Sequence, residues 1–175
     1  MIISVEQFKK YVPDVMDPDE ILEAKLQALE LLIRKYTNNN FQNRGIRFEC
    51  PVMTGKLQLT TNMLHVGDTV QISESIYGNG VYVIQAKEDG SMELNKVLYD
   101  ESGVLVTKVE YPIDVVMGVV NMMKWDLENR DKVGIQSETI SRHSVTYFNM
   151  DGDNSSMGYP KSLLGFLKPY MKARF

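Results

Sequence analysis

At 175 residues the chain is long enough for one domain, or one domain carrying a smaller inserted module, and for a sizeable buried core. Its formal charge of -4 excludes a surface that grips nucleic acid over its whole extent. The single cysteine, Cys50, excludes an internal disulfide and fits a reducing compartment.

The opening Met1-Ile2-Ile3-Ser4-Val5-Glu6 has no basic stretch leading into an apolar run, so no secretory leader is expected. Ser4 followed by Gln7 forms a capping-box pattern and predicts a short helix over 4–11, with Val5 and Phe8 facing the body. Asp17 before Pro18 predicts the N-cap and first residue of a second helix. Along it Leu22, Leu26, Leu29, Ile33 and Tyr36 recur at helical spacing, and Ile21, Ala28 and Leu32 widen the stripe. Asp19, Glu20 and Glu23 at the start, with Arg34 and Lys35 at the end, suit the helix dipole. Asn38, Asn39 and Asn40 terminate it.

Residues 45–111 change character. Segments 46–48, 56–60, 69–72, 81–84, 92–94 and 104–109 alternate or are rich in β-formers. Turn signals at Gly67-Asp68, Gly78-Asn79-Gly80, Asp89-Gly90 and Ser102-Gly103 separate them. Short strands so spaced predict a small antiparallel β-barrel-like module inserted between helices. Its glycines lack the lysine-bearing pattern that cradles phosphate, so no nucleotide site is expected.

Pro112 opens a third helix, to about Glu128, apolar nearly all round from Ile113 through Trp125 and Leu127. This is the longest apolar run in the chain, yet it contains Asp114 and Lys124 and is too short to span a bilayer. Gly118 on it permits close approach by a neighbour. A central core helix is the simpler expectation, with an oligomer interface on one side as the other.

From 134 to 148 the residues alternate again. Ile135, Ser137, Thr139, Ser141, His143, Val145 and Tyr147 are expected to share one face of a β ribbon. The hydroxyls suit a sheet surface lying against other protein. Residues 159–174 then predict a C-terminal helix, entered at Pro160, with Leu163, Leu164, Leu167, Tyr170 and Met171 at helical spacing. Residues 155–175 carry Lys161, Lys168, Lys172 and Arg174 and no acid, whereas residues 1–30 carry seven acids and three bases. That polarity suits orientation against another charged body more than raw affinity. The expected fold class is α+β, with a helical core from 1–44 and 112–175 and an inserted β module at 45–111.

The order of these parts resembles the head–tail connector, or adaptor, proteins of long-tailed bacteriophages. The resemblance rests on the long helix ending Tyr36-Thr37-Asn38-Asn39 and the buried helix preceding the 134–147 string with its Ser137-Glu138, Ser144-Val145 and Thr146-Tyr147 pairs. It extends to Tyr159-Pro160-Lys161-Ser162-Leu163-Leu164 and a terminal helix ending in Arg174-Phe175. It covers roughly the two flanks and not the β module, whose Val66-Gly67-Asp68 and Gly80-Val81-Tyr82 segments resemble small phage barrel domains. The resemblance implies a structural virion protein, not an enzyme and without a cofactor, at the head–tail junction and assembled in the host bacterial cytoplasm. It implies a homo-oligomeric ring of twelve copies beneath the portal protein, followed by a head-closure (stopper) or tail protein. Genomic DNA would pass the lumen without specific binding, and no membrane is involved. Phe166, Lys168, Tyr170, Lys172, Arg174 and Phe175 are the expected portal contacts, and the 135–147 ribbon the expected subunit interface, by strand addition to a neighbour. Deleting 168–175 is expected to leave the fold intact and abolish docking. The competing expectation is a nucleic-acid-binding β-barrel, opposed by nine acids against six bases across 44–110. Another phage assembly factor is a further alternative.

Other constellations fall short of chemistry. Counting from Asp151 as a calcium loop puts Ser156 where glycine is needed and Ser162 where glutamate is needed. His65 and His143 have no nearby cysteine or third histidine for zinc. Cys50 reads as a buried bystander. Glu138, Ser141 and His143 divide between the two faces of a single strand and form no local triad.

Overall fold

The computed structural model describes residues 1–132, 137–140, 143–146 and 154–173, with backbone alone for residue 132 and for 137–140 and 143–146. The chain divides into two compact units, one formed by Met1 with residues 40–111 and the other by residues 2–39 and 112–175.

The first unit is a closed antiparallel barrel. Its strands are β1 (Gln42–Met53), β2 (Lys56–Leu57), β3 (Thr69–Ser73), β4 (Gly80–Glu88), β5 (Ser91–Leu94) and β6 (Glu101–Val109). Around the barrel they run β1-β2-β5-β4-β3-β6 and return to β1. β1 slips register against β6 between Asn43 and Arg47 and again between Cys50 and Val52. Such bulges bend a strand and raise its twist, which lets one long strand close a small sheet. In the first slip the Asn43 carboxamide oxygen accepts from the Gly45 N–H at 3.0 Å. Alternate positions point inward: Cys50 and Val52, Val70 and Ile72, Val104 and Val106 are all buried, with Leu57, Ile84 and Met92 filling the rest. Closure leaves no strand edge within the barrel wall.

The second unit holds α1 (Val5–Tyr11), α2 (Asp19–Thr37) and α3 (Ile113–Asn129). It also contains two small hairpins, β7 (Ser137–Ile140) with β8 (His143–Thr146) and β9 (Ser155–Ser156) with β10 (Tyr159–Pro160), followed by a 3-10 helix at Lys161–Tyr170. The Ser4 hydroxyl accepts from the Gln7 N–H and the Gln7 side chain returns the bond, so the capping box forms as expected. Phe8 is fully buried beneath it. On α2 the stripe of Leu22, Leu26, Leu29 and Ile33 is buried, each residue contributing roughly 1.5–3 kcal/mol of apolar transfer. The widening residues behave differently: Ala28 and Ile21 are exposed and Leu32 half-buried. Pro18 rather than Asp17 is the N-cap and supplies no side-chain bond. The Asp17 carboxylate instead takes the Lys25 ammonium at 2.9 Å, a charged partner eight residues further on. On α3, Val115, Val119, Val120, Met122 and Met123 are buried, whereas Ile113 is 70% exposed.

The expected fold class, a helical core with an accessory β module, is overturned. The chain is a mixed α/β fold, about 37% helix and 30% strand, dominated by the six-stranded antiparallel sheet. The physical reason is closure: six short segments that each look slight in sequence complete one another's hydrogen bonds and enclose their own core. The terminal helix is also different in kind. Lys161–Tyr170 is 3-10, with Pro169 inside it. In an α pattern the Pro169 ring would meet the Gly165 carbonyl, and Leu164, Leu167 and Tyr170 recur every third residue, the period of the tighter helix. Leu164 and Leu167 are the buried members of that row. Finally, residues 137–140 and 143–146 form two antiparallel strands rather than parts of one strand. Ile140 pairs with His143 and Ser137 with Thr146, so the chain reverses between them. Opposed residues share a face, and the odd positions before the reversal therefore lie on a different face from those after it.

Candidate interaction surfaces

The basic C-terminal segment is tied to its own unit. Phe166 is half-buried with its ring over Gly118, where an added Cβ would overlap the ring. The close approach expected at Gly118 is thus made by this segment. The Tyr170 hydroxyl donates to both carboxylate oxygens of Asp114 at 2.8 Å, and that hydrogen bond raises the phenol's pKa. Further on, the Asn39 side-chain amide donates to the Tyr170 carbonyl at 3.1 Å, and the Lys172 N–H donates to the Thr37 carbonyl at 2.8 Å. The Asn38 amide donates to the Ala173 carbonyl at 2.7 Å. Asn38 is the left-handed C-cap of α2, with φ of 50°. The asparagine run that ends the helix thus also clamps the segment after Tyr170. Of the expected docking residues, Phe166 and Tyr170 serve the fold, Lys168 and Lys172 are exposed, and Arg174 and Phe175 lie outside the described residues.

Of the expected interface ribbon, Ile135, Ser141 and Tyr147 lie outside the described residues. Ser137, Thr139, His143 and Val145 lie on the β7–β8 hairpin, opposite Thr146, Ser144, Ile140 and Glu138 in turn. Among the described residues this hairpin pairs with no other strand.

A groove runs along the helical unit, with a volume of about 370 Å³. Ala28, Leu29, Leu32 and Met123 form its apolar lining, and Lys25, Asp126 and Arg130 its charged part. Asp126 is buried and accepts from Arg130 Nε at 2.6 Å, pairs with Arg130 Nη2, and accepts from the Tyr159 hydroxyl at 3.3 Å. Lys25 Nζ stands 3.9 Å from the same carboxylate. The Arg130 guanidinium lies 5.4 Å from the Trp125 ring centre and 5.0 Å from that of Tyr159, a double cation–π contact. Burial, then the Asp126 charge, pushes the Tyr159 phenol up to about 12. Positive φ at both Met157 and Gly158 makes the tight turn that swings Tyr159 into place.

One end of the barrel carries a surface that sequence reasoning missed. Ile76, Tyr77, Val97 and Tyr99 are 76%, 72%, 85% and 70% exposed. Tyr77 and Tyr99 meet edge to face at 5.7 Å between ring centres. The loops beneath are pinned. The Glu101 carboxylate accepts from Ser75 Oγ at 2.5 Å and from the Ile76 N–H at 2.8 Å. Ser75 Oγ in turn accepts from the Gly78 N–H at 2.7 Å, and the Tyr82 hydroxyl donates to the Gly78 carbonyl at 2.9 Å. The Ser75 hydrogen bond, with the Ile76 amide, holds the Glu101 carboxyl below the usual glutamate range. Asp100 accepts from the Gly55 N–H at 3.0 Å, joining the β1–β2 turn to the same end. The available signal was four bulky apolar residues sitting among turn residues.

Cys50 is buried in the barrel, and burial pushes its thiol up to about 11, so it stays protonated at neutral pH. Among the described residues no cluster of histidine, cysteine or carboxylate side chains forms a metal site, and no helix is long and apolar enough to cross a membrane. Comparison with family models and with curated proteins finds no match to this chain.

Proposed function

We propose that this chain is a structural subunit of a bacteriophage virion, a ring-forming connector that sits beneath the portal and joins the DNA-filled head to the next head-closure or tail component. The observation that carries the reading is the β7–β8 hairpin, which pairs with no other strand among the described residues. A lone two-stranded hairpin is marginal in water, and a neighbouring subunit that adds a strand or lies across it relieves that. In a ring each copy offers this feature to the next until the rotation closes.

The basic segment supplies the portal side of the proposal in a narrower form than the sequence implied. Tyr170, Lys172 and Ala173 are bonded to Asn39, Thr37 and Asn38 at and just after the end of α2, so removing 168–175 would damage the fold as well as any docking. Exposed Lys168 and Lys172 are the better probes. The double variant Lys168→Glu, Lys172→Glu is expected to keep the wild-type thermal midpoint and to bind portal particles at least about tenfold more weakly at low salt. Undiminished portal binding by this variant would remove the segment from the docking surface. The barrel's nine carboxylates against six cations oppose the reading of the barrel as a nucleic-acid grip.

A further inference from the structure

The pinned aromatic end of the barrel and the groove of the helical unit are complementary in kind. The barrel end presents Ile76, Tyr77, Val97 and Tyr99 on loops locked by the Ser75–Glu101 network. Large apolar side chains on a rigid support lose little conformational entropy on binding, and a tyrosine can bury roughly 150–250 Å². Among the charged residues flanking these four in sequence, Glu74 and Asp100 outnumber Lys96, and all three are exposed. The groove is less acidic: Lys25 and Arg130 against Asp126 in its lining, with the Asp17 carboxylate bonded to Lys25 beside it, around an apolar lining of Ala28, Leu29, Leu32 and Met123. Its volume of about 370 Å³ lies within the roughly 300–1,000 Å³ range of cavities that enclose ligands, enough to admit a tyrosine side chain. Ala28 also explains why the apolar stripe of α2 is wider than its buried part.

We propose that the aromatic end of the barrel in one copy docks into the α2–α3 groove of a second copy. The contact is heterologous, a protruding surface on one protomer entering a different surface on the next. Repetition of such a contact gives a closed ring or an open filament. This inference rests on the ring reading and gives the barrel a role in it, as the brace between neighbours. The aromatic residues supply desolvated anchors and the charged rims fix orientation.

The test uses the full chain with a photo-crosslinking phenylalanine analogue at position 99, mixed in equal parts with isotopically labelled protein carrying the same analogue. Particle mass is recorded on the same samples. The expected result is mixed-isotope crosslinks from position 99 to peptides around Ala28 and Met123. Ala28→Glu, at an exposed helix position that tolerates it, should lower their yield about tenfold. Closed rings without these crosslinks, or with inter-copy crosslinks elsewhere, would overturn the pairing and leave the ring reading standing. Crosslinks at the groove in open chains or dimers would support the pairing and contradict the ring. Neither rings nor crosslinks would defeat both.

Discussion

The barrel and the helical unit solve the same problem in opposite ways. The barrel closes: every strand has two neighbours, its core is sealed, and what it offers to the outside it offers through loops tied down by a buried serine and a carboxylate. The helical unit stays open. Its hairpin has unpaired edges among the described residues, its longest helix keeps an apolar flank exposed, and a groove runs between α2 and α3. A closed sheet controls its contacts by shape, whereas an open one leaves hydrogen-bonding edges that require a partner. In the proposed contact the closed unit presents and the open unit receives, which is what a repeating head-to-tail contact needs.

The contrast can be attacked first at the barrel core. Ile84→Ala should cost the barrel about 2–5 kcal/mol. Trp125 is the chain's one tryptophan and lies on α3, so its fluorescence reports the helical unit. In urea, strand circular dichroism should lose its midpoint while the Trp125 midpoint stays put. A common shift of both signals would mean that the two units unfold as one.

A smaller effect is expected at Gly118. Gly118→Ala places a methyl into the Phe166 ring and should cost about 1–3 kcal/mol by overpacking, against up to about 1 kcal/mol gained in helix propensity. Phe166→Leu in the same chain should recover much of the loss, read as coupling in a double-mutant cycle followed by Trp125 fluorescence. Additive losses would show that the ring does not lie over the glycine in solution.

At Tyr159 the effect falls to about 0.5–1.5 kcal/mol, the usual worth of one hydrogen bond. Tyr159→Phe removes the bond to Asp126 but keeps the ring under Arg130. Ultraviolet titration should find one phenol ionising at about 12 in the wild type and missing from the variant.

The most local change concerns Glu101. Its carboxyl is held below the ordinary value in the folded chain, so its contribution is complete above the ordinary glutamate pKa. The contribution is lost as pH falls through the lower, folded value. The Ile76 and Gly78 amide resonances should move in that acidic window in the wild type. In Glu101→Gln they should not titrate there. Amides that ignore pH in both would mean that the loop is held by something else.

Sequence legibility followed the range of the interactions. The capping box at Ser4 and the buried row Leu22, Leu26, Leu29 and Ile33 could be read directly, because caps and helical stripes are written over a few neighbouring residues. The positions of the barrel strands were legible for the same reason. Their number and spacing also pointed to a barrel, but which strand pairs with which did not show, since β1 meets β6 about fifty to seventy residues away. The terminal 3-10 helix was misread because Leu164 and Leu167 satisfy both helical periods, and only Pro169 argued for the tighter one. The reversal between Ile140 and His143 lacks a glycine or asparagine to mark it. The aromatic end of the barrel needed three loops brought together, which no local pattern records.

The most direct measurement of the central claim is particle mass with negative-stain imaging of the full chain, alone and mixed with portal particles. The account predicts closed rings, or portal particles that gain one ring of added mass. A protein that stays monomeric at high concentration and leaves portal particles unchanged would contradict it.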